Sequence, residues 1–247
     1  MLVLYLLILL IGVIGGATGV GGMLIPPCLE FFAGIDTHTA IGTGMACMIP
    51  ASLFGTWMNR RGGYLDLGTI WPLIIGGALF VLPGTILKAH TAGPTLTFLL
   101  GICIVGTSLV SLFTPLLRSK GQPTTKRRKI LLFLLGSLVG LLAGVTGMGG
   151  SILTVPAMIA MGFTPVFSVA AGIAYVIPVT CLGSVGNFAF RALDIYLAVT
   201  TSVFLTVGMG LGVKLARKVR QDCLRQGVVA ICTTCGLYMI WKSLLSV

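Results

Sequence analysis

Gly16-Ala17-Thr18-Gly19-Val20-Gly21-Gly22 interrupts an otherwise apolar run from Leu2 to Phe32, and the stretch returns as Gly144-Val145-Thr146-Gly147-Met148-Gly149-Gly150. Gly, Thr, Gly, Gly and Gly recur in register at an offset of 128 residues. A repeat of this kind decides the fold before any single element does. The register holds without a gap from Gly12–Asp66 against Gly140–Asp194, where 15 of 55 positions are identical. Gly34 falls on Gly162, Gly44 on Gly172, Pro50 on Pro178, Gly55 on Gly183 and Asn59 on Asn187. Leu65-Asp66 falls on Leu193-Asp194. The chain reads as two copies of one unit, 1–117 and 130–247, joined by a basic linker at 118–129.

Composition says where that unit lives. The 247 residues are 56% hydrophobic and 9% charged, with a mean hydropathy of +1.09. A soluble domain carries about 25% charged residues, so this chain lacks a polar coat. Several apolar runs are long enough for a bilayer core of about 30 Å. The period-two alternation of a membrane barrel is absent. The net charge of +11 is placed in short loops between apolar runs, as in a membrane protein and unlike a nucleic-acid surface. Met1–Gly15 has no basic residue ahead of its apolar run and has an internal counterpart at Ile130–Gly144, so it reads as structural rather than as a leader.

Each half has the same order. Leu2–Gly15 is a short leg, followed by the glycine tip and a return leg, Met23–Phe32. A polar loop, Ala33–Thr39, leads to spans at Ala40–Met58, Leu67–Leu87 and Thr95–Leu116, with Lys88–Pro94 a loop. The second half has legs at Ile130–Ala143 and Ile152–Met161, then spans at Val166–Phe190, Ile195–Val213 and Gly227–Leu245.

The basic residues fix the direction of the halves. If each tip region crosses the membrane once, the charges divide ten to six between the two sides; if each is a hairpin that returns, they divide thirteen to three. The minority is then Lys88, Arg191 and Lys242. The positive-inside bias favours the hairpin. Residues 130–162 as one helix would run about 50 Å, too long for the core. A re-entrant hairpin and two tilted short spans both satisfy the count. A hairpin plus three spans is an odd number of passes. The fold expected is an all-α polytopic membrane protein of two inverted-topology repeats, as in many secondary transporters.

Irregular backbone at membrane depth persists only where protein or a watered cavity satisfies it. Glycine permits positive φ and close approach of a ligand. The helices starting at Met23 and Ser151 would aim N–H groups at the tips, and helix N-termini favour anions. Thr18 and Thr146 add hydroxyl donors. The expected site joins Thr18, Gly19, Gly21 and Gly22 to Thr146, Gly147, Gly149 and Gly150, with amides from Asn59 and Asn187. Thr43, Ser52, Thr180 and Ser184 are candidates to line the path, against back-bonding to their own helices. Glu30, the only acid within an apolar leg, is the candidate for proton coupling.

Other chemistries lack their motifs. There is no GxSxG, no HExxH and no lysine after the glycines to make a Walker A loop. His38 and His90 lack a ligand cluster, and no cofactor or metal is expected. Cys232-Thr-Thr-Cys235 has redox-like spacing, but on a helix it places two small residues on one face, as helix contacts in lipid favour.

The chain resembles the sulfite exporter TauE/SafE family of membrane transporters over essentially its whole length. The resemblance rests on the GATGVGG and GVTGMGG tips, on IGTGMACMIPAS with its partner VAAGIAYVIPVT, and on an Asn and an Asp with six residues between them after each. It implies a non-enzymatic, multi-pass protein of the bacterial cytoplasmic membrane that moves a small sulfur-containing anion, such as sulfite or an organosulfonate. The expected function is secondary transport, as an exporter, by alternating access between the two repeats; the alternative is a passive small-anion channel.

Overall fold

The computed structural model describes residues 2–19, 21–91 and 125–215, with a few positions between 95 and 106 and between 233 and 241. Most of the spans expected at Thr95–Leu116 and Gly227–Leu245, most of the linker, and Cys103, Cys223, Cys232 and Cys235 lie outside the described residues.

Among the described residues the chain is helical throughout. The order is α1 (Leu2–Thr18), a 3-10 turn (Gly21–Leu24), α2 (Ile25–Ala33), α3 (Thr37–Arg61) and α4 (Leu67–Ala89). The second half gives α5 (Thr125–Thr146), α6 (Ser151–Ala160), α7 (Pro165–Ala189) and α8 (Ile195–Leu215). Five of these, α3, α4, α5, α7 and α8, are long and apolar enough to cross a membrane. Their outer faces suit lipid. On α8, Val199, Val203, Val207 and Leu211 are exposed at every fourth position, a single apolar stripe.

Several boundaries differ from the sequence reading, each for a local reason. The first legs do not stop before the glycines: α1 runs through Thr18 and α5 through Thr146. A glycine does not break a helix where an adjacent helix packs onto it and an apolar medium penalises open backbone. Helix α5 also takes in Lys126–Lys129 from the expected linker, since Lys and Arg are good helix formers. At 22 residues it is about 33 Å long, a full crossing rather than a short leg. The first return helix begins at Ile25, not Met23, because Pro26 and Pro27 suit a first turn, where no N–H partner is needed. Helix α3 starts at Thr37, since Asp36 caps it by accepting from Thr39 N. Lys88, expected in a loop, lies in the last turn of α4.

Asp66 caps α4 in the same way, accepting from Thr69 Oγ1 and Gly68 N. Those bonds hold its carboxyl below the ordinary carboxylate range. The cap therefore stabilises the fold above that range and is lost as pH falls through the depressed pKa.

Close approach between helices relates the two halves. Gly16 lies against Met209 and Gly212, and 128 residues later Gly144 lies against Val81 and Gly84. Met209 and Val81, like Gly212 and Gly84, are also 128 apart. Gly55 meets Ile173 while Gly183 meets Met45, and Gly19 meets Val169 while Gly147 meets Ile41. Each contact thus recurs with the partners exchanged. Along the central pair, Gly42 meets Asn187 and Gly55 meets Ile173, so α3 and α7 run antiparallel. Helix α1 follows α8 in parallel, from Gly12 beside Leu205 to Gly16 beside Gly212. Helix α5 follows α4 in parallel, from Gly136 beside Leu73 to Gly144 beside Val81.

These directions collect the charges. The C-terminus of α3 and the N-termini of α4 and α5 share one end, which carries Arg60, Arg61 and Lys126–Lys129. There Arg61 lies 4.2 Å from the Trp57 ring centroid and Lys129 lies 5.7 Å from that of Trp71. Basic residues beside Trp mark a membrane–water boundary. Lys88 and Arg191 lie toward the opposite end.

Candidate functional site

Each first leg ends on a left-handed glycine. Gly19 has φ +77° and Gly147 φ +72°, and their N–H groups donate to Gly15 O at 2.8 Å and Ala143 O at 2.7 Å. This is a helix C-cap that only glycine adopts without strain. Beyond it the halves diverge. Gly149 and Gly150 also have positive φ, whereas Gly21 and Gly22 enter the 3-10 turn.

The two breaks meet. A Cβ on Gly22 would lie 2.9 Å from Met48 Cε and 3.3 Å from Met148 O of the other tip. Gly149 lies against Met48 and Val176, near the midpoints of α3 and α7. Gly19, Gly21 and Gly22 share with Ser151 a cavity of about 30 Å³, closed by Ile11, Met48, Ile173, Val176 and Met209. Ser52 also lines it. The space holds roughly two waters, so in this conformation the site is closed down around less volume than an oxyanion needs. Thr146 and Gly150 border a second, smaller cavity of about 10 Å³.

The remaining candidates are placed as follows. Thr18 Oγ1 donates to Ile14 O at 2.8 Å and Thr146 Oγ1 to Leu142 O at 2.7 Å, so both hydroxyl protons serve their own helices. Ser52 and Thr180 bond back to their own helices. Thr43 Oγ1 instead accepts from Asp194 N at 3.0 Å, tying α3 to the other half. Ser184 Oγ is buried without a partner among the described residues. Glu30 accepts from Thr37 Oγ1 at 3.2 Å, near the outer end of α2. Neither return helix has a side-chain cap, since Leu24 and Gly150 stand at the two N-cap positions. Pro26 and Pro27 remove two N–H groups from the first-half end, so the second half offers more donors.

Asn59 and Asn187 do not line the cavity between the tips. Both are buried, and each Nδ2 donates to the carbonyl four residues earlier, Gly55 O at 3.0 Å and Gly183 O at 2.8 Å. Asn187 Oδ1 accepts from Lys88 Nζ. Lys88 was not among the residues the sequence singled out. Its signal was available as the lone basic residue of the first half on the minority side of the charge count.

The helices and their paired breaks define a polytopic membrane protein among the described residues, and its family makes it a membrane transporter. The family described as "Sulfite exporter TauE/SafE" matches residues 4–239, and the chain belongs to that family. It is 27% identical over 255 residues to the "Probable membrane transporter protein YdhB" of Bacillus subtilis (strain 168), covering 97% of this chain and 100% of the relative. No solved structure matches it significantly.

Proposed function

We propose that the protein is a secondary transporter that exports a small anion of the sulfite or organosulfonate class across the bacterial cytoplasmic membrane. Its two halves, 1–117 and 130–247, act as inverted repeats that rock about a shared central site. The observation that carries this reading is the contact between the two glycine breaks near the midpoints of α3 and α7, where Gly19, Gly21 and Gly22 of the first tip share a cavity with Ser151, the residue that follows the second. Exchanged contacts at the 128-residue offset support a twofold relation between the halves, and antiparallel α3 and α7 support their opposite orientation. The end carrying Arg60, Arg61 and Lys126–Lys129 is then cytoplasmic.

Sulfite flux in proteoliposomes tests the reading. Saturable flux that depends on a counter-ion or proton gradient is expected, whereas conductance without saturation would establish a channel. Gly22→Ala is the informative variant. Its Cβ meets the flexible end of Met48, so the fold survives, while the cavity loses volume. A reduction of flux of at least tenfold with little change in melting temperature is expected; unchanged flux would remove the cavity from the mechanism.

Orientation is tested by single cysteines in a background without the native ones. Gly63→Cys should resist a membrane-impermeant maleimide in intact cells, and Thr91→Cys should react. The reverse pattern would invert the topology.

A further inference from the structure

Lys88 is fully buried, yet it lies outside both the glycine tips and the cavity between them. Its Nζ donates to Asn187 Oδ1 and, at 3.2 Å, to His38 O. An ammonium carries three N–H donors, and these two acceptors leave one over among the described residues. Both acceptors are neutral. Asp36 is near enough to act on the charge, but its carboxylate caps α3 through Thr39 and makes no ion pair with Lys88. Among the described residues no carboxylate lies within ion-pair distance.

Such an arrangement is costly, because a charge taken out of water is ordinarily offset by an opposite charge. Lysines near helix ends usually send the ammonium to the headgroup region. Lys88 instead turns inward and ends between three helices, α4 and α3 of the first half and α7 of the second. Asn187 is set to hold it there: its Nδ2 is engaged by Gly183 O, which directs Oδ1 to the ammonium. An amide orients the cation without cancelling its charge, as an aspartate would. The feature is also one-sided, since the residue 128 positions after Lys88 is Ala216. An unneutralised cation with a spare donor, inside the protein and on a contact between the two halves, fits an anion that is present in only part of a cycle.

We propose that Lys88, positioned by Asn187, is a second anion-coordinating station, at the end of the bundle remote from the basic loops. Its ligand is a small oxyanion that reaches the ammonium when the ends of α4 and α7 part. The proposal rests on the anion-transport reading and adds to it a residue and a place.

The test uses sodium sulfite with the full-length protein, reading saturable flux in proteoliposomes and the sulfite-induced rise in melting temperature. Lys88→Met is expected to raise the KM for sulfite at least tenfold and to abolish the sulfite-induced rise. Its melting temperature without sulfite should equal or exceed that of the wild type, since a buried charge is removed. A merely structural tie between helices would do the opposite, lowering the melting temperature and leaving KM unchanged, and that result overturns the proposal. Asn187→Asp covers the case in which Lys88→Met does not fold. It gives Lys88 a carboxylate, so the protein should fold and lose its response to sulfite; a wild-type KM there also overturns the proposal. Saturable sulfite flux in the wild type with unchanged KM in both variants sinks only the role of Lys88. No sulfite-dependent signal in the wild type sinks the transport reading along with it.

Discussion

Gly147→Ala is expected to destabilise the protein by about 2–5 kcal/mol, the sum of a left-handed backbone at about 1–2 kcal/mol and overpacking at about 1–3 kcal/mol. Gly147 has φ +72°, and a Cβ there would stand 2.7 Å from Ile41 Cγ2 and 3.1 Å from Ile41 O. The side chain could yield, but the carbonyl belongs to α3. Gly34→Ala supplies the control. Gly34 has φ +69° with nothing within 4 Å of its built Cβ, so only the backbone cost of about 1–2 kcal/mol applies. Thermal unfolding in detergent, with flux measured on the folded fraction, separates the two. Equal losses in the two variants would show that the contact with α3 carries nothing, and that Gly147 is conserved in the repeat for its φ alone within this chain. Gly19→Ala should fall between them, because its Cβ would meet the Val155 side chain at 3.1 Å rather than backbone.

The repeat made the architecture legible. Residues 128 apart could be paired before any helix was placed, and α7 at Pro165–Ala189 departs by only one residue at each end from the span read at Val166–Phe190. The glycine breaks were legible for the same reason, since nothing in a single apolar run would have marked Gly19 and Gly147. What stayed hidden depended on partners remote in sequence or on hydrogen bonds within a turn. Thr18 and Thr146 looked like free donors because a sequence does not show where a hydroxyl proton goes; the carbonyls four residues earlier take both. Asn59 and Asn187 looked equivalent because they are aligned, yet among the described residues only Asn187 receives a lysine, one that lies 99 residues away. The repeat predicts what the halves share. It is silent on where one half has changed, and the chemistry that distinguishes the two ends lies there.

Tyr175 is the clearest of those changes. It aligns with Cys47, so the same place in the two halves holds a large ring and a small thiol. The ring is fully buried and fills the space above two glycines: a Cβ on Gly150 would lie 2.6 Å from Cε1, and one on Gly77 would lie 2.6 Å from Oη. Its hydroxyl donates to Gly136 O at 2.7 Å. On the other side Cys47 Sγ donates to Gly44 O of its own helix, 3.1 Å away, and lies within reach of the Thr201 hydroxyl on α8. Tyr175 lines neither cavity; its ring packs the hydrophobic core beside Gly77 and Gly150. Tyr175→Ala is expected to cost about 3–5 kcal/mol, as for other buried rings. Tyr175→Phe keeps the ring and loses one hydrogen bond, at about 1 kcal/mol. The difference between their unfolding free energies measures what the ring contributes by packing against Gly77 and Gly150, apart from its hydrogen bond. If the two variants lose equally, the bond to Gly136 O carries the whole effect and the ring fills no space that the fold needs. If Tyr175→Ala loses far more, ring packing holds the second half at the place where the first half has only the Cys47 thiol, and aligned positions of the two repeats stabilise the fold by different means.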